Sequence, residues 1–214
     1  MTATATEKPR RRRNPELVRE SILQAANQAF ALHGFEGATL PKIAASAGVG
    51  TPLIIHYFKS KRLLWEAVLA RISSRARTEI EAIAVAGGRA SDRLRQMIRF
   101  QVEFFAKSPE IYQLLASEAH HRSDRLRWIC DNFGRFAFDA VVGTIRAAQA
   151  EGAIRPLSPE RLRYVIIGVA SIAAVSAEYE ALTGQDPCTP GQLAETVAFL
   201  ESLIFVDGAL PPAP

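Results

Sequence analysis

Apolar residues recur at three- and four-residue spacings along most of this chain, and that spacing limits what the chain can fold into. Side chains repeated in this way lie on one face of an α-helix, whereas a half-buried strand needs strict alternation. Pro, Gly, Ser, Asp and Thr interrupt the pattern about every 10 to 30 residues, as expected where helices begin and end. The sequence therefore predicts an all-α fold of about nine helices.

The N-terminal part combines a long predicted helix with two short ones. Asn14 can cap the first helix, Pro15 suits its first turn, and Gly34 suits its end. A second helix is predicted between Thr39, as its cap, and Gly48. A third helix is predicted from Thr51, as cap, with Pro52 in its first turn, through Tyr57. Two short helices joined by a glycine-containing turn indicate a helix-turn-helix.

Longer helices are predicted for the rest of the chain, each introduced by Ser, Asp or Pro. They cover residues 61–84, 91–107, 109–119, 124–151, 159–183 and 190–206. The two glycines at positions 87 and 88 mark a break after the first of them.

Charge is distributed unevenly along the chain. The first 62 residues contain 10 of the 26 basic residues but only 4 of the 22 acidic residues. A basic segment attracts polyanions, because Lys and Arg displace counterions from phosphates. The run Arg10, Arg11, Arg12 and Arg13 ends a predicted disordered arm that either contacts DNA or only solubilises the chain.

Composition also bears on location and cofactors. The longest uncharged apolar stretch, 164–177, is shorter than the roughly 18 to 20 residues that cross a bilayer, so no membrane span is expected. Residues 1–15 lack the apolar block of a secretory signal, which predicts a cytoplasmic protein. Cys130 and Cys188 are far apart and are interpreted as small buried hydrophobes. We therefore expect no metal, no cofactor and no disulfide.

Residues 22–64 resemble the DNA-binding domain of the TetR family of bacterial regulators. The resemblance lies in the segments ILQAANQAFALHG, GFEGATL, KIAASAGVG and HYFKSKRLL, in that order and at that spacing. It implies a DNA-binding domain over 14–60, after the arm at 1–13, and a helical domain over 61–214 that dimerises and binds an effector. It also implies repression from a palindromic operator, relieved by a small molecule of unidentified chemistry.

The segment after the turn departs from the family pattern. Many members have Ser, Lys, Gly, Thr, Leu and Tyr there, whereas this chain has Gly50, Thr51, Pro52, Leu53, Ile54 and Ile55. Pro52, Leu53 and Ile55 cannot form the bidentate hydrogen bonds that distinguish guanine or adenine, but they can contact thymine methyl groups. The resemblance and the side-chain chemistry together suggest these DNA contacts: Thr39, Lys42, Thr51, Pro52, Leu53, Ile55, His56, Tyr57 and Lys61. Alternatively, Tyr57 belongs to the core, Lys61 is a solvated charge and Thr39 is only a cap.

Aromatic and polar side chains in the C-terminal part suggest a ligand pocket with few polar anchors. The candidate lining residues are Met97, Ile98, Gln101, Phe104, Phe105, Tyr112, Trp128, Asn132, Phe133 and Phe136. An ordinary core is the alternative for each of them. The helix at 61–84 is a plausible lever that changes the spacing of the two recognition helices in a dimer.

The last two predicted helices are apolar on several sides, which favours a four-helix dimer interface across a two-fold axis. The candidate interface residues are Ile166, Ile167, Ala170, Ala174, Val197, Leu200 and Ile204. Burial within one subunit is the alternative. Two other functions compete with the regulator. One is an all-helical enzyme, although neither a nucleophile elbow nor a phosphate-binding glycine loop occurs in the sequence; the other is an architectural DNA-binding protein without a ligand.

Overall fold

The computed structural model describes residues 14–206, and its contacts divide the chain into two compact units between Val68 and Leu69. The predicted arginine arm lies outside the described residues. The first unit contains α1 (Pro15–Gly37), α2 (Leu40–Ser46), α3 (Thr51–Phe58) and the start of α4 (Lys61–Val85). The second contains the rest of α4 and α5 (Ala90–Lys107), α6 (Pro109–Ala119), α7 (Asp124–Ile129), α8 (Arg135–Ala150), α9 (Pro159–Ala170), α10 (Ser176–Thr183) and α11 (Pro190–Ile204).

The all-α prediction is confirmed. No strand occurs within residues 14–206, where a single antiparallel bridge joins Ile154 to Phe205. Side-chain oxygens accept backbone N–H groups at several helix starts, as Asn14 does from Glu16 (3.0 Å) and Ser123 from Leu126 (3.0 Å). These bonds satisfy N–H groups that have no partner within the helix.

Aromatic packing holds the first unit together. Phe35 stacks on Phe30, with ring centroids 5.9 Å apart, and meets Trp65 edge to face at 6.0 Å. Phe30 and Trp65 are completely buried. The first two turns of α4 therefore complete this core, which explains why the unit ends at Val68 and not at the start of α4.

Helix α5 lies at the centre of the second unit. It packs against α8, α9, α11 and α6. The buried side chains Leu94, Ile98 and Val102 lie along its core-facing side. Its N-terminus is held by Glu151, whose carboxylate accepts the N–H groups of Ala90 at 2.6 Å and Ser91 at 3.0 Å.

Two of the predicted long helices are interrupted. The one predicted over 124–151 contains a π-helical turn, Cys130–Gly134, between α7 and α8. The one predicted over 159–183 contains a 3₁₀ segment, Ser171–Val175, between α9 and α10. Hydrophobic spacing did not indicate either interruption, because each changes the hydrogen-bond pattern without ending the helical run.

The run Pro159–Thr183 also bears on the membrane prediction. By length and composition alone it is apolar enough to cross a bilayer, with 28% of its most apolar window buried within the subunit. The prediction of no membrane span rested on uncharged stretches alone, and this run also contains charged residues. Its 3₁₀ segment contacts α5 and α6, so part of the run belongs to the helical core.

Candidate functional site

The segment between α2 and α3 forms the turn of a helix-turn-helix. Gly48 adopts a left-handed conformation (φ 65°) that glycine tolerates best, and Val49 donates its N–H to the Ala44 carbonyl at 3.0 Å. The N-cap of α3 is Gly50, so Thr51 is the first helical residue and not the cap that was predicted. The turn thus begins α3 within four residues of the end of α2.

Helix α3 has a buried side and an exposed side. Ile54 and Phe58 are buried and anchor it to the unit. Leu53 and Ile55 are 37% and 40% exposed, and Pro52 and His56 are exposed as well. An exposed apolar pair on a short, anchored helix has no role in the subunit's own core, which makes it a candidate contact surface.

Three candidate phosphate-binding residues lie on the elements that precede and follow α3 in the chain. Lys42 is exposed on α2. The Lys61 ammonium donates to the Glu36 carbonyl at 3.2 Å and lies 4.6 Å from the centroid of the Phe35 ring. Thr39 flanks α2, and its side chain does not form the capping bond that was predicted.

Tyr57 links α3 to α1 within the same unit. Its hydroxyl donates to the Pro15 carbonyl at 3.4 Å, and its ring meets the His56 ring edge to face at 5.5 Å. The residue is half-buried. The bond is long for a hydroxyl donor and is therefore weak. A phosphate oxygen is a stronger acceptor, to which the same hydroxyl could donate instead.

Lys59 is a cation that the sequence analysis omitted. It lies at the C-terminal end of α3, is exposed and has a left-handed backbone (φ 64°). Its ammonium donates to the His56 carbonyl at 2.9 Å. The signal was present in the sequence as the cluster Lys59, Lys61 and Arg62.

The second unit contains a cavity of about 330 Å³. Its lining comes from α4, α5, α6, α7, the π-helical turn, α8 and α9. Six of the ten predicted ligand residues line it, namely Gln101, Phe104, Phe105, Asn132, Phe133 and Phe136. The walls are largely aromatic and aliphatic, as in most small-molecule sites.

Four predicted ligand residues do not line the cavity. Met97 and Ile98 are buried, Ile98 within the core cluster around α5. Tyr112 packs against Phe105 with ring centroids 5.2 Å apart, and Trp128 packs against Phe133 at 5.2 Å. These two aromatic side chains therefore support lining residues without forming the cavity wall.

Sequence reasoning missed the contribution of α4 and the arginines of the cavity. Arg77 and Ile80 of α4 line it, as do Phe100 of α5 and Arg163 of α9. Ile167 also lines it, although it was predicted at the dimer interface. Arg163 was detectable as a cation at the start of an otherwise apolar helix.

The predicted dimer-interface residues lie mostly inside the subunit. Five of the seven are buried there, with at most 4% exposure: Ile166, Ala170, Ala174, Leu200 and Ile204. Val197 is partly buried against the same core. The apolar residues that α9 and α11 expose are Tyr164, Val165, Phe199 and Leu203. The predicted residues lie on the inward sides of these helices, because apolar residues also occur on the outward sides and spacing alone did not separate the two.

The described residues include two cysteines, Cys130 and Cys188. Between residues 14 and 206, no group of three or more His, Cys, Asp or Glu side chains is arranged to hold a metal ion. Cys130 and Cys188 are unpaired and half-buried, whereas full burial was predicted. Burial raises the pKa of the Cys188 thiol, and the charge of Asp186 raises it further.

Comparison with known proteins matches both units. Residues 22–68 match the family described as bacterial regulatory proteins, tetR family, and residues 91–204 match the tetracyclin repressor-like C-terminal domain. The HTH-type transcriptional repressor NicS of Pseudomonas putida is 28% identical over 149 residues, covering 68% of this chain and 69% of that protein. The repressor SCO4008 of Streptomyces coelicolor is 26% identical over 190 residues, covering 84% and 91%.

A solved structure of AibR in complex with isovaleryl coenzyme A and operator DNA has a TM-score of 0.72. It shares 17% sequence identity and covers 88% of this chain and 98% of its own, which shows a common fold. The C-terminal family match alone spans more than half of the sequence. This chain therefore belongs to the TetR family of bacterial transcriptional regulators.

Proposed function

We propose that this regulator represses transcription as a homodimer, by binding a palindromic operator through α3, and leaves the DNA when a small molecule occupies the cavity. The observation that carries the proposal is the exposed pair Leu53 and Ile55 on a helix anchored by Ile54 and Phe58. The relatives NicS and SCO4008 are both described as repressors. Because bacterial operator DNA lies in the cytoplasm, the proposal includes a cytoplasmic location for this regulator.

The DNA contacts divide by chemistry. We assign Thr39, Lys42, Tyr57 and Lys61 to phosphates, because their hydroxyl and ammonium groups are donors on α3 and on the segments next to it in the chain. Base contacts fall to Thr51, Pro52, Leu53, Ile55 and His56. A mainly apolar reading surface selects thymine methyl groups in the major groove.

Selection of DNA from a random pool by the purified chain tests this part of the proposal. We expect an inverted repeat whose half-sites are about 34–36 Å apart, or a multiple of that distance, each with at least one required thymine. Replacing that thymine by uracil removes only the methyl group and should weaken binding. Sequence-independent coating of DNA would support an architectural protein instead, and no loss with uracil would contradict apolar base reading.

The dimer requires a surface that one subunit leaves exposed. We assign it to Tyr164 and Val165 of α9 and Phe199 and Leu203 of α11, since these helices contact each other within the subunit. Phe199→Glu should shift sedimentation from dimer to monomer. Leu182→Glu, a more exposed site on α10, is the matched control. A monomeric unmutated chain at micromolar concentration would contradict the assignment.

Release requires that the effector bind the two DNA-binding states with different affinity. Helix α4 supports such coupling, because it begins at Lys61 and its later residues, including Arg77 and Ile80, line the cavity. The neighbour AibR was crystallised with both an acyl coenzyme A and operator DNA. Operator binding measured with and without a cavity ligand tests the proposal, and equal affinity in both conditions would overturn it.

The family consists of regulators, and we propose no reaction for this chain. The discriminating measurement is analysis of small molecules released from the purified, denatured protein. Recovery of an unchanged compound that rebinds in stoichiometric amount supports an effector. Turnover of that compound by the native protein would support the enzyme alternative.

A further inference from the structure

The charges around the cavity are unbalanced. Arg77 and Arg163 both line it, and no Asp or Glu is among the lining residues that the structure describes. The other walls are mainly apolar, with Phe100, Phe104 and Phe133 among them. Two guanidinium groups beside apolar walls favour a ligand with an anionic end and an apolar body.

Of the two arginines, Arg163 would be stabilised more by a bound anion. Its side chain is half-buried, and its guanidinium carbon lies 5.2 Å from the Phe138 ring centroid and 5.3 Å from that of Tyr164. Within residues 14–206 it forms no ion pair with a carboxylate. Burial lowers the pKa of Arg163, partly offset by the neighbouring Tyr164, yet a guanidinium stays protonated at neutral pH. A partly desolvated cation without a counter-ion is costly, and a bound anion would relieve that cost.

Arg77 is a second donor in the same lining. Its Nε donates to Glu81 at 2.8 Å, and its guanidinium carbon lies 4.3 Å above the Phe136 ring. That pairing leaves its two terminal nitrogens without an acceptor among the residues described. Gln101, a half-buried amide in the lining, adds a neutral donor.

The volume limits how much of a ligand the cavity can take in. If each non-hydrogen atom takes about the 30 Å³ that a water molecule takes in the liquid, 330 Å³ holds on the order of ten such atoms. A medium-chain fatty acid or an arylalkanoic acid has this size and one carboxylate. The nucleotide part of a coenzyme A thioester is several times larger.

We infer that the effector of this regulator is a small monocarboxylic acid with an apolar body, its carboxylate held by Arg163 and assisted by Arg77. This inference rests on the proposed function, since it names the chemistry of the proposed effector. A planar guanidinium can hold a carboxylate by two parallel hydrogen bonds, which an amide or thioester cannot accept in the same way.

Titration calorimetry on the full chain without DNA tests the inference. The probes are octanoate and phenylpropanoate, their neutral amides, octylamine and octanoyl coenzyme A. At least one of the two acids should bind, and should bind about tenfold or more tightly than its own amide, because a charge-assisted bond is replaced by a neutral one. Octylamine should not bind measurably.

Variants locate the head group. Arg163→Gln should weaken the bound acid about tenfold or more and abolish its preference over the amide, while Arg163→Lys should recover part of the affinity. Arg161→Gln is the matched control, since Arg161 is an exposed residue on the same helix outside the cavity lining. The acid-against-amide comparison on the unmutated chain decides the question even if Arg163→Gln does not fold.

Several results would overturn the inference: no binding of either acid at millimolar concentration, equal affinity for acid and amide, or tighter binding of octylamine or octanoyl coenzyme A than of octanoate. Operator-binding assays separate this failure from failure of the proposed function. If an acid binds but leaves operator affinity unchanged, ligand-induced release is wrong while the ligand class stands. If a neutral or cationic compound releases the operator and neither acid does, ligand-induced release stands while the inferred ligand class is wrong.

Discussion

The two units of this regulator place their functional residues in opposite locations. In the first unit, the residues proposed to bind DNA lie on the surface, supported by a core in which Phe30 and Trp65 are completely buried. In the second, most of the residues proposed to bind an effector line a cavity of about 330 Å³ between helices. Reading DNA needs a rigid exposed helix, whereas enclosing a small molecule needs space that the unit's own side chains do not fill.

The two units also differ in how irregular backbone is used. In the first unit, short turns join the helices, with positive φ at Gly48 and Lys59. In the second unit, the π-helical turn Cys130–Gly134 contributes Asn132, Phe133 and Gly134 to the cavity lining. Irregular helical turns often occur at functional sites, because they redirect side chains that a regular helix would place elsewhere.

The largest expected effect comes from the core of the first unit. Trp65→Ala removes a completely buried indole and should cost about 3–5 kcal/mol of that unit's free energy of unfolding. Operator binding should be lost, while the second unit should still bind its ligand. Denaturant unfolding, an operator-binding assay and calorimetry measure the three quantities. Equal loss of ligand and operator binding would contradict a defect confined to the first unit.

Filling the cavity should impair ligand binding and leave operator binding intact, the opposite of the Trp65→Ala effect. Ala137 lines the cavity, so Ala137→Phe should lower effector affinity about tenfold or more by occupying the ligand's space. Operator binding should persist and no longer respond to the effector. Ala150→Phe, at an exposed position on the same helix, is the control. Calorimetry and operator binding would reveal a misassigned cavity if Ala137→Phe binds ligand normally.

A phosphate contact should have a smaller, salt-dependent effect. Lys61→Ala should weaken binding to all DNA sequences by a similar factor and reduce the slope of log affinity against log salt by about one unit. Binding isotherms at several salt concentrations measure this slope. Lys107→Ala, an exposed lysine of the second unit paired with Glu103, should leave it unchanged. An unaltered slope for Lys61→Ala would show that this ammonium serves only Phe35 and Glu36.

The smallest expected effect concerns the start of α5 and depends on pH. Burial alone would raise the pKa of Glu151, but hydrogen bonds from the Ala90 and Ser91 N–H groups, a further bond from the Ser91 side chain and the charge of Arg89 together lower it. Because the pKa is lower in the folded state, the ionised Glu151 stabilises the fold at pH values above its unfolded pKa of about 4.3. This stabilisation is lost as the pH falls through the folded-state pKa. Glu151→Gln should therefore cost about 0.5–1 kcal/mol at neutral pH and little in acid.

Thermal unfolding of the second unit between neutral pH and about pH 3 checks this dependence. Glu79→Gln, at an exposed position on α4, controls for the loss of one charge. A Glu151→Gln defect that persists in acid would assign the effect to packing instead of ionisation.

Local signals accounted for much of the first unit. Asn14 caps α1 as predicted, Gly34 breaks its helical geometry, and Ser60 accepts the Leu63 N–H at the start of α4. Leu53 and Ile55 are exposed, as their positions relative to Ile54 and Phe58 implied. Caps, turns and short amphipathic helices depend on residues within about four positions of one another, so the sequence contains the information directly.

The cavity was harder to derive because its walls come from seven helical segments spread over residues 70–167. The predicted residues Gln101, Phe104 and Phe105 of α5 line it, but the contributions of Arg77 and Arg163 depend on how α4 and α9 pack. The sides of α9 and α11 were confused for a similar reason. An all-apolar helix has no polar side to indicate which residues face the core.

The sequence by itself determined the helical class, the helix-turn-helix, the family and the basic N-terminal segment, because each of these depends on short-range spacing or on composition. Only the tertiary structure decided which apolar side chains fill the core, which remain exposed and which line the cavity. It also decided that the described lining of this cavity includes two arginines and no carboxylate. Hydrophobic burial is non-directional, so a sequence specifies that a side chain prefers to be buried but not which neighbours will bury it.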